Sequence, residues 1–192
     1  MRTGIFGGSF NPIHKGHVAL AENILKQGLV EELWLMVSPQ NPLKRDECLL
    51  PDDLRLELAQ IATLNHPNLK VSDFEYSLPK PSYMYLTLKR LGETFPDRQF
   101  SLIIGADNWL HFHQWVEAEY IQAHYPIIVY PRRGYGIDRK TLPKNATYLS
   151  LPYYDISSTT LRQRLREGME CKKWLEAEVE ARLKPIFQEN HV

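Results

Sequence analysis

The sequence predicts an α/β fold: a doubly wound parallel sheet with helices on both faces and a helical segment at its C-terminal end. Three observations point there. Short apolar runs of β character alternate with longer stretches at helical spacing, the rhythm of strand–helix–strand units wound right-handedly. The run Leu33–Val37 is apolar without alternation, as a strand buried on both faces is. The 192 residues are 43% hydrophobic and 24% charged, enough apolar material to build a sizeable core in a single domain spanning residues 1–192.

Thr3–Phe6 is short, apolar and followed by glycines, and reads as the first strand. Gly16–Gln27 places Val18, Ala21, Ile24 and Leu25 on one helical face, with Gly28 as its stop. Leu33–Val37 is the second strand. Pro51-Asp52-Asp53 has the chemistry of a helix start, and Leu54, Leu58, Ile61 and Ala62 continue its apolar face. Lys70–Phe74 is the third strand, and Met84, Leu88 and Leu91 mark the next helix. Phe100–Ile104, Pro126–Tyr130 and Thr147–Leu151 complete the strands. Beyond Ile156 the chain reads as helical, with Leu161, Leu165, Trp174, Leu175, Val179 and Leu183 available for packing. The loops Pro39–Asp46 and Arg132–Lys144, rich in proline, glycine and basic residues, have the composition of substrate loops.

Charge and composition exclude several classes. Lys plus Arg total 23 and Asp plus Glu total 23, so no global field draws the chain to nucleic acid or to an anionic membrane. Any anion site must be local. The longest apolar runs, Leu33–Val37 and Ile127–Tyr130 among them, are far too short to span a bilayer, and no signal-peptide core opens the sequence. The expectation is a cytoplasmic protein. Cys48 and Cys171 make neither a disulfide framework nor a thiolate metal site.

In parallel sheets ligands bind beyond the C-terminal ends of the strands. Three segments fall there: Gly7–His17, Gly105–Trp115 and Pro131–Gly136. The first reads Gly-Gly-Ser-Phe-Asn-Pro-Ile-His-Lys-Gly-His. Its glycines let the backbone approach a ligand, and the following helix turns its positive end to the same space. His14 and His17, three residues apart, can share one side of that helix start. Two imidazoles and a helix N-terminus suit a nucleotide phosphate. A metal pair is the other reading of two histidines, but no third ligand accompanies them. The glycine offsets match neither the dinucleotide fingerprint nor a Walker A loop.

This segment resembles the signature of the nucleotidyltransferase superfamily, Gly-[Ser/Thr]-Phe-x-Pro-x-His-x-Gly-His, at Gly8, Ser9, Phe10, Pro12, His14, Gly16 and His17. The resemblance implies a Rossmann-like fold, ATP binding at Gly7, Gly8, Ser9 and Phe10, and His14 and His17 as the catalytic pair at the α-phosphate. Ile156-Ser157-Ser158-Thr159-Thr160-Leu161-Arg162 resembles the second motif of these enzymes, Ile-Ser-Ser-Thr-x-x-Arg. It implies that Ser157, Ser158, Thr159 and Arg162 hold the β- and γ-phosphates. Simple helix capping is the competing explanation of the hydroxyls.

The middle of the chain resembles the bacterial nicotinate-nucleotide adenylyltransferases. Gly105-Ala106-Asp107, followed by Trp115, is similar to their Gly-Ala-Asp…Trp stretch, and implies Trp115 stacked on a pyridine ring with Asp107 near ribose hydroxyls. Pro42-Leu43-Lys44 resembles a loop that brings a cation, here Lys44, to the mononucleotide phosphate. Ser82-Tyr83-Met84 stands where relatives have Ser-Tyr-Thr, and Met84 removes a hydroxyl near the substrate carboxylate. Tyr130–Tyr135 offers Arg132 and Arg133 as acceptor-binding cations, with no choice between them. The implied activity is transfer of AMP from ATP to nicotinate mononucleotide, with Mg²⁺ carried by the triphosphate and no dedicated carboxylate cage for it. The alternatives are nicotinamide mononucleotide or phosphopantetheine as acceptor, or a nucleotide sensor without turnover.

Overall fold

Every residue of β2 (Glu32–Val37) is buried, and alternate side chains leave it in opposite directions. Leu33, Leu35 and Val37 enter one apolar cluster, Trp34 and Met36 the other. The computed structural model describes residues 1–39 and 49–188. Within them β2 lies in a parallel sheet with β1 (Arg2–Gly8), β3 (Leu69–Ser72), β4 (Gln99–Gly105), β5 (Ile127–Tyr130) and β6 (Ala146–Tyr148). The order is β3-β2-β1-β4-β5-β6. The winding reverses between β1 and β4, and the crevice beyond their C-terminal ends is where such sheets bind ligands.

The helices divide between the two faces. Val18, Ala21 and Ile24 of α1 (Lys15–Lys26), Leu58 of α2 (Asp52–Thr63), Leu161 and Leu165 of α6 (Ser158–Arg166) and Leu183 of α7 (Ala177–Gln188) pack with Leu33, Leu35 and Val37. Leu88 and Leu91 of α3 (Met84–Thr94), Ala106 of α4 (Ala106–Leu110) and Ile121 of α5 (Ala118–His124) pack on the opposite face. The predicted doubly wound sheet is therefore present, with helices on both faces and a helical C-terminal segment. Gly28, at φ +72°, follows the end of α1 as its spacing predicts.

The first strand runs through Gly8, two residues past the prediction, and the third and sixth strands stop short of it. Phe74 leaves the third strand and opens a 3₁₀ turn, Phe74–Ser77, in which Tyr76 N–H donates to Asp73 O. The sixth strand starts at Ala146 and ends at Tyr148. Leu149 N–H still donates to Val129 O, but Pro152 has no N–H with which to carry the ladder further. The loop Pro39–Asp46 lies almost wholly outside the described residues.

One polar group organises the C-terminal edge of the sheet. Arg55 on α2 has 0% of its surface exposed. Its guanidinium donates to the carbonyls of Ser9 (2.6 Å), Ser38 (2.8 Å) and Leu50 (3.0 Å), and to Asp52 Oδ1 (2.6 Å). A buried cation is tolerable because these acceptors replace its water. The bonds tie the residues just past β1 and β2 to α2. Replacing Arg55 by Met strands those acceptors. Urea unfolding should show a loss of about 3–5 kcal/mol, the range for breaking a buried charge network from one side.

Candidate active site

The loop between β1 and α1 carries the first motif. Phe10 lies at φ +41°, a strained conformation for a bulky residue, and its side chain is buried. Its ring meets His17 edge-on, centroids 5.1 Å apart, and Phe6 likewise at 5.7 Å. The Phe10 ring is therefore part of the core and props His17, which leaves the Phe10 backbone to face the cleft side of the loop. His14 is the N-cap residue of α1, and its backbone N–H donates to His17 Nδ1 (3.2 Å). A ring nitrogen that accepts carries no proton, so neutral His17 keeps its hydrogen on Nε2. The two imidazoles stack, centroids 3.7 Å apart and 22° between planes. A side chain at Gly16 would put its Cβ 2.8 Å from Ile156 Cγ2 and 3.0 Å from His14 Nδ1, so only glycine lets the second motif come this close.

His14 is 6% exposed, and its pKa is pushed down to about 4 by burial first and by the Arg132 charge second. It is neutral near pH 7. The expectation of free amides at the start of α1 needs one correction. Lys15 N–H donates to Trp174 O (2.8 Å), and Lys15 Nζ to Lys172 O (3.0 Å), so the C-terminal segment closes that side of the helix.

The second motif binds the first. Ser157 caps α6, its hydroxyl accepting from Thr160 N–H (3.1 Å). Ser158 Oγ donates to Pro12 O (2.9 Å). Arg162 Nη1 donates to Asn11 O (2.6 Å), and Nη2 lies 3.4 Å from Thr159 Oγ1. Asn11 in turn accepts from Leu50 N–H at its Oδ1 (3.0 Å). Ser157 and Thr160 stand with His14 and His17 on a cleft of about 530 Å³. Asp107, Arg132 and Arg133, which the sequence reading grouped as acceptor-binding, line this same cleft. Arg132 Nε lies 3.6 Å from Asp107 Oδ1, and its Nη2 donates to Tyr130 Oη (3.1 Å). Arg133 pairs with Asp155 (3.0 Å) at the open rim. Of the two arginines, Arg132 is the one whose charge reaches His14.

A second pocket, of about 140 Å³, adjoins the cleft across Tyr130. Ser82, Tyr83, Gly105 and Trp115 line it, as grouped. Trp115 is half-buried, leans on Phe112, and buries an Nε1–H that has no hydrogen-bond partner among the described residues. Met84 lies over Gly7, where an added Cβ would come within 2.8 Å of its Cε. Lys44 lies outside the described residues.

Sequence reasoning missed four participants. Arg55 and Glu75 are charged residues in segments that read as solvated, Asn11 is a variable position of the motif, and Tyr130 closes a strand. Only the density of polar residues around Asn11 offered a signal. For a metal, no three His, Cys, Asp or Glu side chains come together among the described residues. One oxygen, Asp107 Oδ1, is buried at the cleft without a hydrogen-bond partner among the described residues, 3.6 Å from Arg132 Nε. That donor set fits a divalent ion held mainly by phosphates and water.

The lowered pKa of His14 has a stability consequence. The neutral ring is favoured in the fold, so its contribution is fully present above about pH 6.5 and is lost as pH falls toward about 4. In His14→Gln the acid-side fall in melting temperature across that window should be shallower than in the parent. An NMR titration should find the His14 ring uncharged until about pH 4.

A family model described as cytidylyltransferase-like matches residues 5–164. A Bacteroides fragilis protein named "Probable nicotinate-nucleotide adenylyltransferase" is 46% identical over 182 residues, 95% of this chain and 90% of its own. A Porphyromonas gingivalis protein of the same name is 42% identical over 176 residues, 91% of this chain and 89% of its own. Among solved structures, the fold is similar to Plasmodium falciparum nicotinic acid mononucleotide adenylyltransferase complexed with NaAD. The TM-score is 0.83 at 22% identity, over 100% of this chain and 98% of that one.

Proposed function

The chain belongs to the cytidylyltransferase-like family, and within it to the nicotinate-nucleotide adenylyltransferases, and we propose that its two adjoining pockets hold the two substrates of that reaction. The enzyme transfers AMP from ATP to nicotinate mononucleotide, forming nicotinate adenine dinucleotide and pyrophosphate in NAD biosynthesis. The observation that carries the division of labour is the meeting of the pockets at Tyr130, beside the stacked histidines. ATP occupies the larger cleft, and the pyridine ring enters the smaller pocket against Trp115.

The acceptor's 5′-phosphate oxygen attacks the α-phosphorus. A new P–O bond forms as the bond to pyrophosphate breaks. The attacking phosphate is already ionised near neutral pH, so positioning and charge stabilisation carry the reaction and no strong general base is needed. His17, with its proton on Nε2, donates to the α-phosphate as charge moves onto its oxygens. His14, kept neutral by burial, backs that ring. Arg132 supplies the positive charge nearest them, and Asp107 meets ribose hydroxyls. Gly7, Gly8 and Ser9 pass the triphosphate by backbone. Ser157, Ser158, Thr159 and Arg162 hold the leaving pyrophosphate, with Ser158 and Arg162 exchanging contacts with the first loop for contacts with phosphate oxygens. Lys44 reaches the acceptor phosphate.

Mg²⁺ bound with ATP would be held by phosphates, water and the Asp107 carboxylate. When bound it neutralises charge on the triphosphate. No helix among the described residues is long and apolar enough to cross a membrane, and we place the reaction in the cytoplasm.

Two experiments test this reading. In His17→Ala, turnover should fall about 10²–10³-fold, the usual loss for one preorganised donor, while near-UV circular dichroism stays native. Near-normal turnover would remove His17 from the chemistry. Pyrophosphate release should be followed with nicotinate mononucleotide, nicotinamide mononucleotide and phosphopantetheine as acceptors. kcat/KM should favour the nicotinate form over the amide by at least roughly tenfold, the effect of one charge-assisted hydrogen bond. Trp115→Ala should weaken both pyridine acceptors by a similar factor, because stacking does not see the ring substituent.

A further inference from the structure

The smaller pocket contains a carboxylate that the reaction as described leaves unused. Glu75, in the 3₁₀ turn after β3, is 1% exposed and lines the pocket. Its Oε2 accepts from Ser38 Oγ (2.6 Å) and its Oε1 from Thr87 Oγ1 (2.8 Å). Among the described residues no cation lies within ion-pair distance of it. The charged and titratable groups on the elements around it are otherwise engaged or uncharged. Arg55 and Lys80 both pair with Asp52, and Arg55 also takes the Ser38 carbonyl. Tyr76 donates to Asp52 O. Asp73 adjoins the turn, and Tyr83 and Tyr85 sit at the start of α3. Two hydroxyls are thin support for a buried charge. Burial accordingly pushes the Glu75 carboxyl up, against the pull of Ser38, Thr87 and Ser82.

The same pocket is built to take an anion. α3 starts at Met84 with no side-chain cap, and its backbone bonding begins only when Leu86 and Thr87 donate to Tyr83 O. The amides of Met84 and Tyr85 therefore stand at the positive end of an eleven-residue helix. Ser82, 7% exposed, lines the pocket with a buried hydroxyl close to Glu75 that makes no hydrogen bond of good geometry among the described residues. An anion there and an ionised Glu75 would repel at short range in a dry site.

We propose that Glu75 determines acceptor specificity through its proton: protonated, it accompanies a ring carboxylate, and ionised, it accompanies a ring carboxamide. This rests on reading the smaller pocket as the acceptor's. Bringing in the carboxylate makes Glu75 bind a proton from solvent, and its O–H becomes a donor at the floor of the pocket. A carboxamide brings no charge, so Glu75 stays ionised and its oxygens face the amide N–H₂. The preference for carboxylate is therefore strongest at low pH and weakens as pH rises.

Titration calorimetry of the full chain, run in buffers of different ionisation enthalpy, counts the protons bound with each acceptor. Both acceptors carry the same 5′-phosphate, so its protons cancel in the comparison. Nicotinate mononucleotide should take up more protons than nicotinamide mononucleotide, by up to about one, at pH above the ordinary carboxylate range. In Glu75→Gln the difference should vanish, and the ratio of kcat/KM for the two acceptors should become flat with pH. Equal proton counts for two acceptors that both bind would overturn the role of Glu75 and leave the acceptor pocket standing. So would a difference that survives in Glu75→Gln. Should that variant not fold, the two-acceptor comparison on the parent chain decides alone. Binding of neither acceptor would remove the pocket assignment and this inference with it.

Discussion

Arg55 fastens the carbonyls of three separate segments to one buried cation. Ser9 follows β1, Ser38 follows β2, and Leu50 precedes α2. A buried guanidinium needs its planar fork filled, and the fork's fixed geometry dictates where those backbones sit. The position of Ser9 then sets Phe10, whose strained backbone turns its ring beneath His17. His17 in turn receives the His14 amide and stacks on the His14 ring. The imidazole arrangement is thus the last link of a chain that begins with a charge removed from water. Asp52, in the first turn of α2, balances that charge and favours the helix dipole as well.

A second guanidinium holds the same loop from its other side. Arg162 reaches Asn11 O and Ser158 reaches Pro12 O, from a helix near the far end of the chain. Residues 9 to 12 are therefore gripped by α2 and α6 together. Two clamps on one short loop explain how a strained Phe10 persists, since the surroundings over-determine it. They also give α6 two functions. On the proposed function the groups that meet the leaving phosphates are also those that brace the loop, so a change at Arg162 acts on ligand and loop at once. Trp174 adds a third brace by accepting the Lys15 amide, from a segment past the residues matched by the family model.

The parts legible in the sequence were those with local causes. Buried strands showed as unbroken apolar runs, and α1 and α3 showed as helical stripes, because burial on a sheet face leaves a period. The histidine pair and the Ser-Ser-Thr run were legible as motifs. Arg55 and Glu75 were not, because a charged residue in a helix or turn ordinarily faces water. Their burial depends on partners contributed by distant segments: the carbonyls after β1 and β2 for Arg55, the hydroxyls of Ser38 and Thr87 for Glu75. Asp107 and Trp115 were grouped as acceptor-binding by resemblance to a single Gly-Ala-Asp…Trp stretch. Both follow the end of β4, yet Asp107 lines the larger cleft and Trp115 the smaller pocket.

A chain of zero formal charge that handles polyanions must concentrate its charges. Near the reaction centre it does so sparingly. Burial keeps His14 neutral, and Arg132 divides its field between Asp107, Tyr130 and the histidines. A fixed cation holds the triphosphate before reaction and after it alike, which lowers KM without raising kcat. Neutral donors act differently. An imidazole N–H and backbone amides gain most where charge is growing on an oxygen, which happens in the transition state. On the proposed mechanism the neutrality of His14 serves catalysis. The burial that lowers its pKa serves the same end as the loop clamps: donors fixed in place, with little charge of their own, waiting for charge that the substrates bring.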